Sequence, residues 1–153
     1  MNLSQHFDLR EFTDSDTALR LGIDNDLPLT LVDVARGTAQ LMERIRSVLM
    51  HASRRMCPVD VTSGYRCAKL NEAVGSKPSS DHLKMLAIDF KAPVFGTPLE
   101  ICRVLVPVMD ELGIGQLIYE HSWVHVSSRD PDKAFNRILT VQGSGYTTGI
   151  VEA

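Results

Sequence analysis

The sequence from residue 116 to residue 127 reads Gln-Leu-Ile-Tyr-Glu-His-Ser-Trp-Val-His-Val-Ser and contains two candidate β-strands. They run from Gln116 to Glu120 and from Ser122 to Ser127. Successive side chains in a strand point to opposite faces, so the second segment would place its valines on one face and its polar residues on the other. Because the connection between the two segments is so short, we expect antiparallel pairing.

Two long helices are predicted before this strand pair. From Thr30 onward, apolar residues recur at steps of three and four, and Thr30 with Asp33 is placed like a capping box. The segment Thr97-Pro98-Leu99-Glu100 combines an N-cap, a proline at the first helical position and a capping-box acid. We expect this second helix to end near Gly113 and to be kinked at Pro107. The apolar stripe of the first helix predicts that it packs against a core.

Shorter elements complete the predicted order. Branched residues favour a strand from Pro58 to Thr62, and alternation favours another from Leu86 to Lys91. The remaining predicted elements are a helix from about Cys67 to Val74 capped by Gly75, a turn or helix from Asp130 to Phe135, and a strand from Arg137 to Gln142. No repeat or linker interrupts the sequence, so residues 1–153 are predicted to form a single domain. The predicted fold class is α+β, with helices packed on one face of a mainly antiparallel sheet.

The composition disfavours several classes of protein. Lys and Arg number 16 against 19 Asp and Glu, and the resulting net charge of −3 argues against a nucleic-acid partner. The longest apolar run, Val104 to Met109, is far shorter than the roughly 20 residues that a membrane span requires. The first residues lack the features of a signal peptide, so we expect synthesis in the cytoplasm. Cys57, Cys67 and Cys102 are widely spaced and fit reduced thiols.

Two of the five histidines lie in unusual company. His82 closes a polar loop, and Asp89 follows seven residues later on the strand face opposite the apolar side chains. His125 likewise projects opposite an apolar strand face, so the three side chains converge if both polar faces belong to one sheet surface. Two imidazoles and a carboxylate are a common set of protein ligands for catalytic zinc. The residues also allow a reading without metal, with a surface His82, a capping Asp89 and a hydrogen-bonded His125.

Three segments together resemble the zinc D-alanyl-D-alanine carboxypeptidase and phage endolysin family of peptidoglycan peptidases, whose fold group includes lysostaphin and hedgehog. The segments are Ser63-Gly64-Tyr65-Arg66, Ser80-Asp81-His82 with Asp89, and Trp123-Val124-His125-Val126-Ser127. With the opening residues, the resemblance covers about Leu3 to Ser127. It implies a hedgehog-like or D-Ala-D-Ala-peptidase-like fold and a zinc ion held by His82, Asp89 and His125.

The resemblance also implies roles for residues around the metal ligands. Arg66 would hold a substrate carboxylate with its planar fork, and Ser80 would bond to the substrate backbone. Without the resemblance, Arg66 reads as a solvated charge and Ser80 as a turn cap. Trp123 is a further substrate-binding candidate. Glu120 would be the general base that moves a proton from water to the leaving amine, and His121 is the rival, as a helper or oxyanion donor.

The implied function is zinc-dependent hydrolysis of a peptide bond in bacterial peptidoglycan stem peptides, as a D,D-carboxypeptidase or an L-Ala-D-Glu-type endopeptidase. We expect a monomer that is encoded by a phage or prophage and reaches the cell wall after release. Two residues depart from the family pattern. Met85 stands where a glycine is usual, although a left-handed turn suits methionine poorly, and Ser122 stands where many members have the general base. A catalytically silent zinc-binding or wall-binding module, or a phage structural component on the same fold, is therefore the alternative.

Overall fold

The computed structural model describes residues 1–131 and 136–152, and it contains α-helices packed on a six-stranded sheet. The described helices are α1 (Leu9–Thr13), α2 (Asp16–Leu21), α3 (Val32–Ser53), α4 (Ala68–Ala73), α5 (Pro98–Leu105) and α6 (Met109–Leu112). The described strands are β1 (Asp60–Ser63), β2 (Ala87–Lys91), β3 (Gln116–Tyr119), β4 (Val124–Ser127), β5 (Ile138–Gln142) and β6 (Gly145–Thr148). Short 3-10 turns lie at Leu29–Leu31, Asp81–Lys84 and Val106–Val108. The predicted α+β class is therefore confirmed.

The strand order across the sheet is β1-β2-β4-β3-β5-β6. All neighbouring strands are antiparallel except β3 and β5, which pair in parallel. The predicted pairing of β3 with β4 is confirmed, and the predicted strands lie within one or two residues of the observed bounds. The sequence reading missed β6, a four-residue strand of mostly exposed residues. Most of the predicted turn or helix from Asp130 to Phe135 lies outside the described residues.

One face of the sheet carries the core. On this face, β2, β3 and β4 contribute Ile88, Phe90, Leu117, Val124 and Val126, all of them buried. Helix α3 covers them with seven buried residues between Ala35 and Leu49, and α5 adds three more. Full burial of each large side chain contributes about 1.5–3 kcal/mol relative to leaving it exposed. The opposite face of the same strands carries the polar side chains of Asp89, Gln116, His125 and Ser127, together with Ile118.

The start of the long helix differs from the prediction. Helix α3 begins at Val32, its N-cap is Leu31, and no side chain caps it. Thr30 cannot serve as the N-cap because it lies inside the 3-10 turn that precedes the helix, where the Leu31 amide donates to the Pro28 carbonyl. Asp33 is instead exposed and pairs with Arg36. The predicted capping box at Thr30 is therefore wrong.

The second long helix begins as predicted and then breaks. Thr97 and Glu100 form the expected capping box at the start of α5. Around Pro107, which has no amide hydrogen to donate, the helix tightens into a 3-10 turn that separates α5 from α6. Gly113 ends α6 in the left-handed conformation, with φ 81°. The kink expected at Pro107 is thus a division into two helices.

The candidate metal centre and its cleft

A row of side chains crosses the sheet on the face away from the core. Asp89 of β2 is paired with Ser63 of β1 on one side and with His125 of β4 on the other. His125 is in turn paired with Ile118 of β3. Direct cross-strand partners have Cβ atoms about 4.5–5.5 Å apart, so the sheet register itself brings Asp89 and His125 together.

His82 reaches this row from the 3-10 turn that precedes β2. The Ser80 hydroxyl caps the turn by accepting from the His82 amide at 3.3 Å, and the Arg66 amide donates to the His82 carbonyl at 3.1 Å. The ring is fixed as well, because its Nδ1 lies 2.6 Å from the Gly64 carbonyl oxygen. The motifs around Gly64 and His82 are therefore joined by hydrogen bonds at both the backbone and the ring.

The three predicted metal ligands form one cluster. The Nε2 atom of His82 lies 3.3 Å from Asp89 Oδ2, and Nδ1 of His125 lies 2.8 Å from Asp89 Oδ1. One ligand atom from each residue lies within 4.8 Å of the others. Such separations suit ligands that surround one ion, since zinc–nitrogen and zinc–oxygen bonds are about 2.0–2.2 Å long.

The hydrogen bonding of His82 fits a cation in this cluster. A carbonyl oxygen only accepts, so the Nδ1 atom that faces Gly64 carries the hydrogen. In a neutral ring, Nε2 then presents a lone pair towards the Asp89 carboxylate, which also only accepts. Two facing lone pairs need either a second proton on His82 or a cation between them. A histidine fixed through its other nitrogen by a carbonyl is a recurring arrangement around protein-bound metals.

Asp89 is the electrostatic centre of the cluster. Burial works to raise the pKa of Asp89, but the hydrogen bonds and charges of His125 and His82 outweigh it and hold the pKa well below its ordinary value. Arg66 adds a further contact, with Nη2 at 3.2 Å from Asp89 Oδ2. The Arg66 Nε atom donates to Ser63 Oγ at 3.1 Å. Asp89 is thus ionised at neutral pH, and Arg66 is held beside it.

Glu120 lies just beyond the C-terminal end of β3, at the start of the turn that leads to β4. Its amide donates to the Trp123 carbonyl at 3.1 Å, which closes the turn. Because Glu120 follows Ile118 by two residues, it projects from the same sheet face as His125. Burial, followed by the negative charge of Asp89, raises the pKa of Glu120. Within residues 1–131 and 136–152, its carboxylate has no hydrogen-bond partner.

His121 is the one predicted site residue that the structure keeps apart from the others. It adopts the left-handed conformation with φ 63°, and its ring packs on Tyr119 with the centroids 4.7 Å apart. Tyr119 belongs to the strand face opposite Ile118. The Nε2 atom of His121 lies 2.7 Å from the Val141 carbonyl oxygen. His121 does not line the cleft that contains His82, Asp89 and His125.

The metal cluster lies in a cleft of about 910 Å³. Of the predicted site residues, those that line this cleft are Arg66, Ser80, His82, Asp89, Glu120, Trp123 and His125. The Trp123 indole nitrogen is buried and has no hydrogen-bond partner among the described residues. The far wall of the cleft comes from β5 and β6, which the sequence reading did not connect with the site.

Two further residues, Ser127 and Asn25, support the site, and neither of them had a function predicted from the sequence. The Ser127 hydroxyl donates to Asp81 at 2.8 Å, which anchors the turn that carries His82 to β4. Asn25 is buried, its Nδ2 atom donates to the Tyr65 carbonyl at 2.9 Å, and its Oδ1 atom accepts from the Cys67 amide at 2.8 Å. Asn25 therefore holds the backbone on both sides of Arg66. A buried polar residue is detectable only once the fold shows what surrounds it.

Met85 keeps the backbone conformation that a glycine would adopt. It has φ 59° and ψ 22°, it is fully buried, and the Thr38 hydroxyl donates to its carbonyl at 2.7 Å. The turn after His82 is thus left-handed despite the side chain, and the metal ligands are still brought together. A methionine at this position raises the free-energy cost of the left-handed turn, but the turn still forms.

The fold and the cluster together define an α+β protein with a His-Asp-His centre of the kind that holds catalytic zinc. The sequence model of the family described as Peptidase M15 matches residues 5–127, and the chain belongs to this family. Peptidases of the family are zinc-dependent and act on peptidoglycan peptides. No curated protein matches the chain. Among the described residues, no helix has the length and apolar character that crossing a membrane would require.

Proposed function

We propose that this protein is a zinc peptidase that hydrolyses a peptide bond in peptidoglycan stem peptides, with Glu120 as its general base. One observation carries the proposal: a half-buried carboxylate without a hydrogen-bond partner in the described chain shares a cleft and a sheet face with the His82–Asp89–His125 cluster. The scissile bond is of the D,D-carboxypeptidase or the L-Ala-D-Glu endopeptidase type. Action on the wall after release from the cytoplasm, a single catalytic domain and a monomeric state stay predictions.

His82, Asp89 and His125 are the residues that would hold the zinc. Bound in such a site, zinc polarises a carbonyl and activates water for attack on it. Ionised Asp89 supplies negative charge for the cation, and the Gly64 carbonyl keeps His82 oriented for binding through Nε2. The chain therefore presents this donor set in an arrangement that needs little adjustment to accept the ion.

Glu120 would accept the proton of the attacking water and deliver it to the departing amine. A general base works best when its pKa lies close to the working pH, and burial with the charge of Asp89 moves the pKa of Glu120 upward in that direction. Its carboxylate is not engaged by another described side chain, so it need not break a hydrogen bond in order to act. His121 is bound to the Val141 carbonyl and packed on Tyr119, which argues for Glu120 over its rival.

Arg66 would bind a carboxylate or carbonyl of the substrate. Burial lowers the pKa of Arg66, but a guanidinium group is so weak an acid that it keeps its proton and its charge at neutral pH. Two of its nitrogens are already used by Ser63 and Asp89, so the remaining nitrogen gives a single hydrogen bond more readily than a two-pronged one. Ser80 would contribute its hydroxyl hydrogen, because the oxygen already accepts from the His82 amide. Trp123 would offer its indole N–H.

The proposal is tested with the zinc-loaded protein and purified peptidoglycan. New amine termini and defined peptide fragments are expected by mass analysis, and chelation should abolish them. Glu120→Gln should retain stoichiometric zinc and lose about 10²–10⁴-fold in kcat, the usual contribution of a general base. Glu111→Gln, an exposed carboxylate on α6, is the matched control and should cleave at the parent rate.

Three results would contradict the proposal. A purified protein that carries no zinc and ignores chelators is not a zinc peptidase. Full activity in Glu120→Gln would move the base to another residue. Binding of wall fragments without new amine termini would identify the catalytically silent module instead.

A further inference from the structure

The cleft has two halves of different chemistry. One half, which we call the polar half, is built on β1, β2 and β4 and contains the metal cluster and Arg66. The other, which we call the apolar half, is built on β3, β5 and β6. Its cleft-lining side chains include Ile118, Leu139, Val141 and Tyr146. Glu120 stands between the two halves, at the end of β3.

The register of the sheet explains why these apolar side chains line the cleft. Ile118 of β3 is paired with Leu139 of β5, so both project from the face that carries His125. Val141 follows Leu139 by two residues and is paired with Tyr146 of β6. The cluster of four residues is therefore continuous with the metal row, on the same face of one sheet. It extends the site away from Arg66.

Most of the apolar half lies outside the segment that the family shares. The family match ends at residue 127, whereas β5 and β6 begin at Ile138 and Gly145. The cleft wall also includes the glycine-rich turn from 143 to 145, whose residues are exposed. A wall beyond the shared segment can vary while the chemistry of the centre is kept, which is how substrate preference changes on a common fold.

We propose that the apolar half is a subsite for an aliphatic side chain of the peptide substrate, and that Tyr146 is its specificity-determining residue. The proposal rests on the peptidase function proposed above. A peptide anchored at Arg66 with a carbonyl at the metal cluster continues over Glu120 onto Ile118, Leu139 and Val141. A charged side chain would lose its hydration on that surface, whereas an aliphatic one gains from burial.

Tyr146 is suited to close this subsite. Its side chain is 53% exposed, and its hydroxyl has no hydrogen-bond partner among the described residues, so a large aromatic face is left for a ligand to cover. Burial and then the charges of Glu120 and Asp89 raise the pKa of Tyr146, which agrees with a ring that faces the site. Tyrosine contributes wide contact area with few rotatable bonds, a common property of residues that select ligands.

The test compares stem peptides in which one alanine at a time is replaced by glycine, which removes its methyl group. For the parent protein, shortening at one position should lower kcat/KM by about tenfold, the range expected for lost apolar contact. In Tyr146→Ala this discrimination should collapse, because the methyl group loses the aromatic surface that it contacts, while Tyr146→Phe should keep it. Thr147→Ala is the matched control, since Thr147 lies on the opposite face of the same strand and bonds to Gln142.

The outcomes separate the subsite from the peptidase function. Equal discrimination by the parent and Tyr146→Ala at every position overturns the subsite and leaves the peptidase intact. If the parent cleaves nothing, the peptidase proposal fails, and the same peptides are compared by calorimetric binding to the zinc-loaded protein. A binding preference that Tyr146→Ala removes then supports the subsite. Binding that ignores side-chain length, or no binding at all, overturns it.

Discussion

The polar half and the apolar half of the cleft differ in how strongly the fold holds them. In the polar half, His82 and Asp89 are buried, and each makes at least two hydrogen bonds or ion pairs to other elements. Behind it, buried Asn25 bonds to the backbone on both sides of Arg66. In the apolar half, residues 142 to 146 are exposed. Thr140 donates to the Gly149 carbonyl and accepts from the Val151 amide, and Thr147 donates to Gln142, so these bonds link β5 and β6 to each other and to residues 149–151 and not to the metal cluster. The proposed chemistry thus lies where buried side chains bond to several elements, and the proposed selection lies beside a more exposed edge of the sheet.

The largest effect is expected from breaking the polar half at a metal ligand. His125→Ala removes one of three donors and should abolish stoichiometric zinc binding, with activity falling by at least about a thousandfold because several kcal/mol of electrophilic assistance are lost. Metal content after dialysis, measured alongside wall digestion, checks both. Tyr146→Ala should keep its zinc, since the apolar half donates no ligand. Equal zinc retention in the two variants would contradict the assignment of His125.

A second prediction concerns Gly64, whose carbonyl supports the polar half by orienting His82. Gly64 passes so close to α1 that a Cβ atom would overlap the Phe12 carbonyl oxygen, which is backbone and cannot swing aside. Gly64→Ala should therefore lower the free energy of unfolding by about 1–3 kcal/mol, the usual cost of overpacking. It should also weaken zinc binding by about 10–100-fold, because the Gly64 carbonyl orients His82.

Gly37→Ala is the matched control for this prediction. Gly37 lies within α3, and a Cβ there would meet no atom within 4 Å. The substitution should raise the free energy of unfolding by about 0.5–1 kcal/mol through helix propensity and leave zinc affinity unchanged. Urea unfolding and zinc titration distinguish the two glycines. A Gly64→Ala variant with parental zinc affinity would show that the crowding of its Cβ against Phe12 does not displace the carbonyl that orients His82.

The sequence was informative where a side-chain pattern is local. The period-two pattern at residues 116–127 predicted β3, β4 and their pairing, and the Thr97 capping box predicted the start of α5. The spacing from His82 to Asp89 could suggest convergence but could not establish it. Convergence depends on the pairing of Asp89 with His125, which is a contact between strands 36 residues apart. Alternation grouped Glu120 with Gln116 and Ile118, but only the pairing of Ile118 with His125 places that face beside the metal ligands.

The sequence was least informative about the apolar half. β6 is four residues long and mostly exposed, so its residues carry little of the apolar alternation that marks a buried strand. Its place beside β5 follows from a turn at the edge of the sheet. The Thr30 capping box was wrong for a related reason: the preceding Pro28 starts a 3-10 turn, and the residue types alone did not show that the turn takes Thr30 into itself.

Met85 offers a sharper test of how the polar half is supported. Met85→Gly removes the cost of a left-handed methionine, about 1–2 kcal/mol, but also removes a fully buried side chain. Loss of a buried methionine side chain costs about 2–5 kcal/mol, so the variant should be less stable by up to about 4 kcal/mol. Urea unfolding measures whether the free energy of unfolding falls or rises. A more stable variant would mean that backbone strain outweighs packing at this turn.

The smallest expected effect concerns the charge of Glu120 in the zinc-free protein. Burial and the charge of Asp89 raise the pKa of Glu120 in the native state, so the native state binds more protons than the unfolded state between the ordinary and the raised pKa. The contribution of this group to the free energy of unfolding therefore falls as the pH rises through that window. Glu120→Gln, which cannot ionise, should be slightly more stable than the parent near neutral pH. The difference should shrink at pH values below about 4, where Glu120 is protonated in both states.

Urea unfolding in the presence of a chelator, at neutral and acidic pH, measures this difference, and the exposed Glu111→Gln should show none. A Glu120→Gln variant that is less stable at both pH values would mean that the carboxylate forms a stabilising contact instead of being held away from water. The expected sign links stability to function, because a base kept partly desolvated and without a partner costs the native state free energy. Among the cleft-lining residues of the described chain, the apolar half contains no carboxylate of this kind. Its variants are therefore not expected to show a similar gain in the free energy of unfolding.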